Sequence, residues 1–257
     1  MRIVFVGAGR LATNLSQALQ AADHEIVQVY SRTMESASQL AELLGVQATD
    51  DLASLRDADV YILSIKDSAM MEVIPSLVRK REPAVFLHTA GSMPMSVFKG
   101  YCTHYGVLYP MQTFSKDRLI DFSNVPFFIE GNDDKALQVA AALAGSVSKN
   151  VRQLSSSERK YLHLAAVFAS NFVNHCYELS AEILQRHGIP FDVMLPLIDE
   201  TADKVHILSP HDAQTGPAVR FDQNVIVAQM DLLKDTPQAQ RIYQEMSKSI
   251  HLLHQHD

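Results

Sequence analysis

The chain of 257 residues contains no tryptophan, two cysteines and no block of lysine and arginine. Cys102 and Cys176 stand far apart and without the spacing of a metal site. Neither a disulfide framework nor a zinc module is therefore expected, and two free thiols suit a reducing compartment. The formal net charge is −7. With no basic stretch to meet a phosphate backbone, a nucleic-acid partner is not expected. No apolar run reaches the roughly 18 residues of a membrane span, so no membrane partner is expected either. The opening "MRIVFVGAG" runs directly into a strand pattern and lacks the longer apolar stretch and cleavage site of a signal peptide, which points to the cytoplasm. Internal repeats and low-complexity segments are missing as well. What is present is a 47% apolar, 20% charged composition, able to bury a sizeable core.

The first half alternates short apolar runs with helix-like segments. "RIVFV", "EIVQVY", "DVYILSI", "AVFLH" and "GVLYPM" read as strands, with helices through "RLATNLSQALQAA" and "MESASQLAELL", the latter stopped by Gly45. Two last strands, "VPFFIEG" and "VRQLS", flank a helix in "DDKALQVAAALAG". Near-continuous apolar strands alternating with helices indicate an α/β fold with a mainly parallel, doubly wound sheet covered on both faces. From Ser155 the pattern becomes helical throughout. Ser155 and Glu158 have capping-box spacing, and the run they start reaches Arg186, where "HGIP" stops it. Further helices are expected over 192–208, 222–234 and 237–254. The expected division is an α/β domain over 1–154 and an all-helical domain over 155–257.

"VGAGRLATNL" gives Gly7-x-Gly9-x-x-Ala12 directly after one strand and at the opening of one helix. Gly7 permits the tight turn, Gly9 lets backbone approach a pyrophosphate, and Ala12 keeps helix and strand close. The helix start adds free N–H groups and a partial positive charge. Gly7, Ala8, Gly9, Arg10 and Leu11 are thus the expected cradle of a dinucleotide. About 20 residues further on, an NAD site usually presents a carboxylate to the ribose. Here "VYSRT" has none, and Ser31, Arg32 and Thr33 stand in its place. A guanidinium beside two hydroxyls can grip an additional phosphate through forked, charge-assisted bonds, so the expected cofactor is NADP(H). Taken alone, Arg32 could equally be a solvated surface arginine.

Ligands of open α/β sheets sit beyond the carboxyl ends of the strands. That rule selects Ser64, Ile65 and Lys66 after one strand, His88 and the small residues of "HTAGS" after the next, and Tyr109, Gln112 and Thr113 in "YPMQTF". His88 reads equally well as a hydrogen-bonded strand-end histidine, and Lys66 as a solvated helix-start charge.

In "RKYLHLAAVFASNFVNHCYELSAE" regular helix geometry sets His163, Ser170 and Asn174 on one stripe, with Asn171 about 80° round from His163. Ala165, Ala166 and Ala169 keep that neighbourhood thin. Such polar groups either face a ligand or bond one another in a packed helical core. In "QTGPAVRFDQN", Pro217 suits a first helical turn. Arg220 could anchor a substrate carboxylate, or pair internally with Asp222, Asp199 or Glu200. The terminal "HLLHQHD" has three histidines without an acid or thiol at ligand spacing, and reads as a solvated tail rather than a metal site.

Taken together, "VGAGRLATNL", "SRT", "HTAGS", "YPMQTFSK", "HLAAVFASNFVNH" and "QTGPAVRFD" resemble a family of Rossmann-like proteins with a helical C-terminal domain of unassigned function, described as NADP oxidoreductases. The resemblance covers nearly the whole chain. The first domain is similar to those of deazaflavin-dependent NADP oxidoreductases and pyrroline-5-carboxylate reductases, and the second to those of 6-phosphogluconate dehydrogenase relatives. It implies a homodimer formed through the helical domain and NADP(H) in the cleft between domains. Related sequences often carry histidine where this chain has Tyr109 and Gln229.

The expected activity is hydride transfer to or from a small carbonyl or imine substrate, which needs a positioned proton donor and polarising hydrogen bonds. His163 is the expected donor or donor-orienter, Asn171 the polariser and Arg220 the substrate anchor. Two other functions use the same motifs: a non-catalytic NADP-binding sensor or partner-binding protein, and an NAD-linked dehydrogenase of prephenate type.

Overall fold

A computed structural model describes residues 1–255; His256 and Asp257, the end of the histidine-bearing tail, lie outside the described residues. The chain divides into two compact units, Met1–Asn171 and Phe172–Asp257. The first therefore runs past the change of composition at Leu154.

The first unit is built on one eight-stranded sheet. Its elements are β1 (Arg2–Val6), α1 (Arg10–Ala21), β2 (Glu25–Tyr30), α2 (Met34–Leu44), β3 (Gln47–Thr49), β4 (Val60–Leu63), α3 (Asp67–Leu77), β5 (Val85–His88), β6 (His104–Pro110), β7 (Phe127–Gly131), α4 (Asp134–Val147), β8 (Val151–Gln153) and α5 (Ser156–Ala166). The strand order is β3-β2-β1-β4-β5-β6-β7-β8. Every pairing is parallel except that of β6 with β7. The sheet is thus the doubly wound, mainly parallel Rossmann arrangement, and its order reverses between β1 and β4. β3 has only three residues, too short for an apolar run to mark it in the sequence.

Successive strand residues face opposite sides of a sheet. Ile3 and Phe5 of β1 accordingly join one buried cluster with Ala12, Leu15 and Leu40, whereas Val4 and Val6 join another with Met70, Ile74 and Phe98. Both faces are covered, which is why these strands are apolar throughout instead of alternating. Gly45 takes the left-handed conformation that ends α2, at φ 68°. The capping box at Ser155 and Glu158 is formed at the start of α5.

Beyond α5 comes a π-helical segment, Val167–Phe172, that straddles the break between the units. The second unit contains α6 (Val173–Arg186), α7 (Leu195–Lys204), α8 (Gln223–Leu232) and α9 (Pro237–Leu253). Pro217 does not open a helix: it lies among turns, and Asp222 caps α8 by accepting the Val225 N–H at 3.5 Å. No described helix is long and apolar enough to cross a membrane.

Candidate active site

Register places the first half of the site. Tyr30, Val6, Leu63, His88 and Val107 pair in sequence across β2, β1, β4, β5 and β6, so the residues after each stand along one edge of the sheet. Gly7 sits at the reversal of strand order with φ 116°, and a Cβ there would overlap the Ser64 carbonyl and reach 3.0 Å from Ile65 Cγ2. Ser64 and Ile65 therefore floor the turn, and only glycine fits above them. Gly9 is the opposite case. It is exposed, and a Cβ would meet nothing within 4 Å. It caps α1 without any side-chain bond, and no acid occupies the first turn of that helix. Ala8 is buried, Leu11 half-buried and Arg10 exposed.

Around this turn, Ser31 is half-buried while Arg32 and Thr33 are exposed. Thr33 donates its hydroxyl to Ser36 at 3.0 Å. Arg32 forms no ion pair among the described residues. Lys66 is exposed at the start of α3, and Ser92 donates its hydroxyl to the Asp67 carboxylate beside it.

His88 departs from the expectation that it meets a ligand. Its side chain is fully buried, stacked on Phe98 at 5.9 Å, with Nδ1 accepting the Ala90 N–H at 3.2 Å. That bond leaves the proton on Nε2, which finds no well-formed partner. Burial, with the Arg159 charge as a lesser cause, pushes the imidazole down to about 3. The ring is packed in the core of the first unit beside Phe98.

The second half of the site lies where β6 and α5 meet. Tyr109 Oη and His163 Nδ1 are 3.2 Å apart, and their rings meet edge to face at 6.1 Å. Gly91 closes this junction. A Cβ there would lie 2.5 Å from His163 Nδ1 and 2.8 Å from Tyr109 Cζ. Burial raises the Tyr109 phenol above its ordinary range, with Arg159 opposing, so the group keeps its proton. Tyr109, His163, Gln112, Thr113, Ser170 and Asn171 are among the lining of a cavity of about 450 Å³.

Asn171 lines the same cavity as His163, and the π-helical segment Val167–Phe172, whose i→i+5 bonding turns less per residue than a regular α-helix, carries it. Asn174 and Arg220 belong to the second unit. Arg220 is exposed and forms no ion pair with Asp222, Asp199 or Glu200.

Sequence reasoning missed the pair that holds α5 in place. Arg159 is 1% exposed and donates to Glu130 at 2.7 Å, to the Met93 carbonyl at 2.6 Å and to Ser156 Oγ at 3.2 Å. One buried guanidinium thereby ties α5 to β7 and to the loop after "HTAGS". In "SSERKYLH" it looks like any solvated charge near a helix start, and no local signal distinguishes it.

Residues 2–90 match the family described as NADP oxidoreductase, coenzyme F420-dependent, and residues 125–250 match a domain of unknown function, DUF2520. The structure of a "putative NADP oxidoreductase" from Bacteroides fragilis is 53% identical, with 97% of each chain covered and a TM-score of 0.94. A protein of Thermotoga maritima is 25% identical over 98% of each chain, at a TM-score of 0.71. The 1-pyrroline-5-carboxylate reductase of Streptococcus pyogenes, 15% identical over 98% of each chain at a TM-score of 0.62, shares the fold. No curated protein matches the sequence.

Proposed function

The chain belongs to the family that joins an F420-dependent-type NADP oxidoreductase domain to the DUF2520 domain, and from that premise we propose that it is an NADP(H)-dependent reductase of a small carbonyl or imine compound. The residues present suit the dinucleotide. The open face of Gly9 and the uncapped start of α1 offer N–H groups to a pyrophosphate, and Arg32, free of any ion pair among the described residues, offers a fork to the extra phosphate. Bound there, the nicotinamide would supply or accept the hydride.

The observation that carries the reading is the Tyr109–His163 pair on the wall of an open cavity. A protonated imidazole donates through both ring nitrogens. Nδ1–H donates to the Tyr109 oxygen, and the proton on Nε2 is delivered to the substrate oxygen or nitrogen. The neutral ring left behind keeps its Nδ1–H, so Tyr109 fixes the tautomer through the step. The Asn171 amide polarises the substrate from the same cavity. This reading is favoured over a purely binding protein because His163 is only half-buried and lines a cavity able to admit a small molecule.

Turnover of NADPH against a panel of small keto acids and cyclic imines tests it. His163→Ala should lower turnover by about 10²–10⁴-fold with NADPH affinity unchanged. Tight NADPH binding with no turnover and no ligand density at His163 across the panel would favour the sensor instead. The second unit leaves Ile207 and Leu232 more than four-fifths exposed, which supports a homodimer through the helical domain. Sedimentation would detect it.

A further inference from the structure

We propose that a side compartment containing Arg118 holds an anionic group of the substrate, a carboxylate or a phosphate; this rests on the reductase reading above. The loop after β6 forms it. Leaving Tyr109, the chain passes through Gln112 and Thr113, which line the His163 cavity and also a second cavity of about 260 Å³. Arg118 and Ser115 line that second cavity. The two cavities therefore adjoin at Gln112 and Thr113, and a substrate reaching past these residues would set its anionic group beside Arg118.

The loop is held in shape without using its cation. Asn14 of α1, 2% exposed, donates to the Ser115 carbonyl at 2.8 Å and accepts the Ile120 N–H at 3.1 Å. Phe114 stacks on Phe122 at 5.8 Å. These two anchors fix both ends of the stretch that carries Arg118. The single carboxylate in the lining, Asp121, is already engaged by the Ser123 N–H at 2.9 Å and the Ser123 hydroxyl at 2.8 Å. Arg118 forms no ion pair among the described residues. Arg118 lines this cavity together with Thr113 and Ser115, a guanidinium and two hydroxyl-bearing residues with no ion-pair partner for the charge, and an oxyanion matches such a set. The cation thus sets specificity for acidic over neutral carbonyl or imine compounds, and it lies in the same compact unit as His163.

The test is amide and arginine Nε–H NMR on the full chain, with and without NADPH. The probes are inorganic phosphate, pyruvate and, as a neutral control, acetone. Saturable shifts at Thr113, Ser115 and Arg118 are expected with one or both anions and none with acetone; whichever anion binds more tightly identifies the group. Arg118→Gln should weaken that anion by about tenfold or more, Arg118→Lys should retain part of the affinity, and NADPH binding should be unchanged in both. The proposal is overturned if neither anion shifts these residues saturably, if Arg118→Gln binds them as the parent does, or if the same change weakens NADPH equally. Loss of NADPH binding in the parent chain would instead overturn the cofactor reading, and the NADPH-free titrations would still decide this one.

Discussion

Replacing Gly91 with alanine probes the junction on which the proton-donor assignment depends. The new Cβ would lie 2.5 Å from His163 Nδ1, 2.8 Å from His163 Cγ and 2.8 Å from Tyr109 Cζ. All three distances are far inside carbon contact, so His163 or Tyr109 must move to admit the methyl. Inserting a methyl into such packing costs about 1–3 kcal/mol, and each kcal/mol lowers Tm by about 2–4 °C in a chain of this size. The displacement falls on the Tyr109–His163 hydrogen bond itself, so turnover should fall by about 10²-fold, the order associated with a misplacement of 1 Å. NADPH affinity should hold, since Gly7 and Gly9 are untouched. Calorimetry, an NADPH titration and turnover measured on the same preparation separate these effects. Gly145→Ala is the matched control. It lies inside α4, and its Cβ would meet nothing within 4 Å, so it should be neutral or stabilising by about 0.5–1 kcal/mol. If Gly91→Ala is as stable and active as the parent while Gly145→Ala behaves as expected, the packing of Gly91 against the pair is wrong.

Three further outcomes are expected. Arg32→Asp should weaken NADPH by about tenfold or more while leaving NADH within about twofold; an equal loss for both removes the phosphate role. His88 is depressed to about 3 from 6.5, so between those values the unfolded chain takes up a proton that the folded chain refuses. Stability should therefore fall as pH drops below about 6.5, by up to about 1.4 kcal/mol per pH unit from this group, and denaturant melts of His88→Asn should show a flatter pH dependence. Arg159→Met leaves Glu130 without its cation and should cost about 3 kcal/mol in urea unfolding. A loss below about 1 kcal/mol would mean that the pair does not hold α5 against β7.

Much of the architecture was legible because its signals are local. Alternating burial on two sheet faces demands apolar strands such as "RIVFV" and "VYIL". The Gly7 and Gly9 turn, the Gly45 stop and the Ser155–Glu158 box each depend on the conformation of a few neighbouring residues. Local signals failed where a neighbour elsewhere decided the outcome. Pro217 had the chemistry of a helix start but lies in turns, with Asp222 capping α8 instead. His88 had the position of a ligand-facing histidine, yet Phe98 covers it. The π-helical segment over Val167–Phe172 has no local signal in the sequence either.

What consecutive residues determined by themselves is therefore the doubly wound sheet, the helical second half, and a first turn shaped for a dinucleotide with arginine in place of the usual acid. Folding decided the rest. Gly91, Tyr109 and His163 come from three separate stretches and acquire meaning only in contact, and Arg159 became a structural charge only once Glu130 was brought to meet it. Periodicity and turn preference act along the chain, whereas desolvation and steric fit act between whatever side chains the sheet and helices bring together in space.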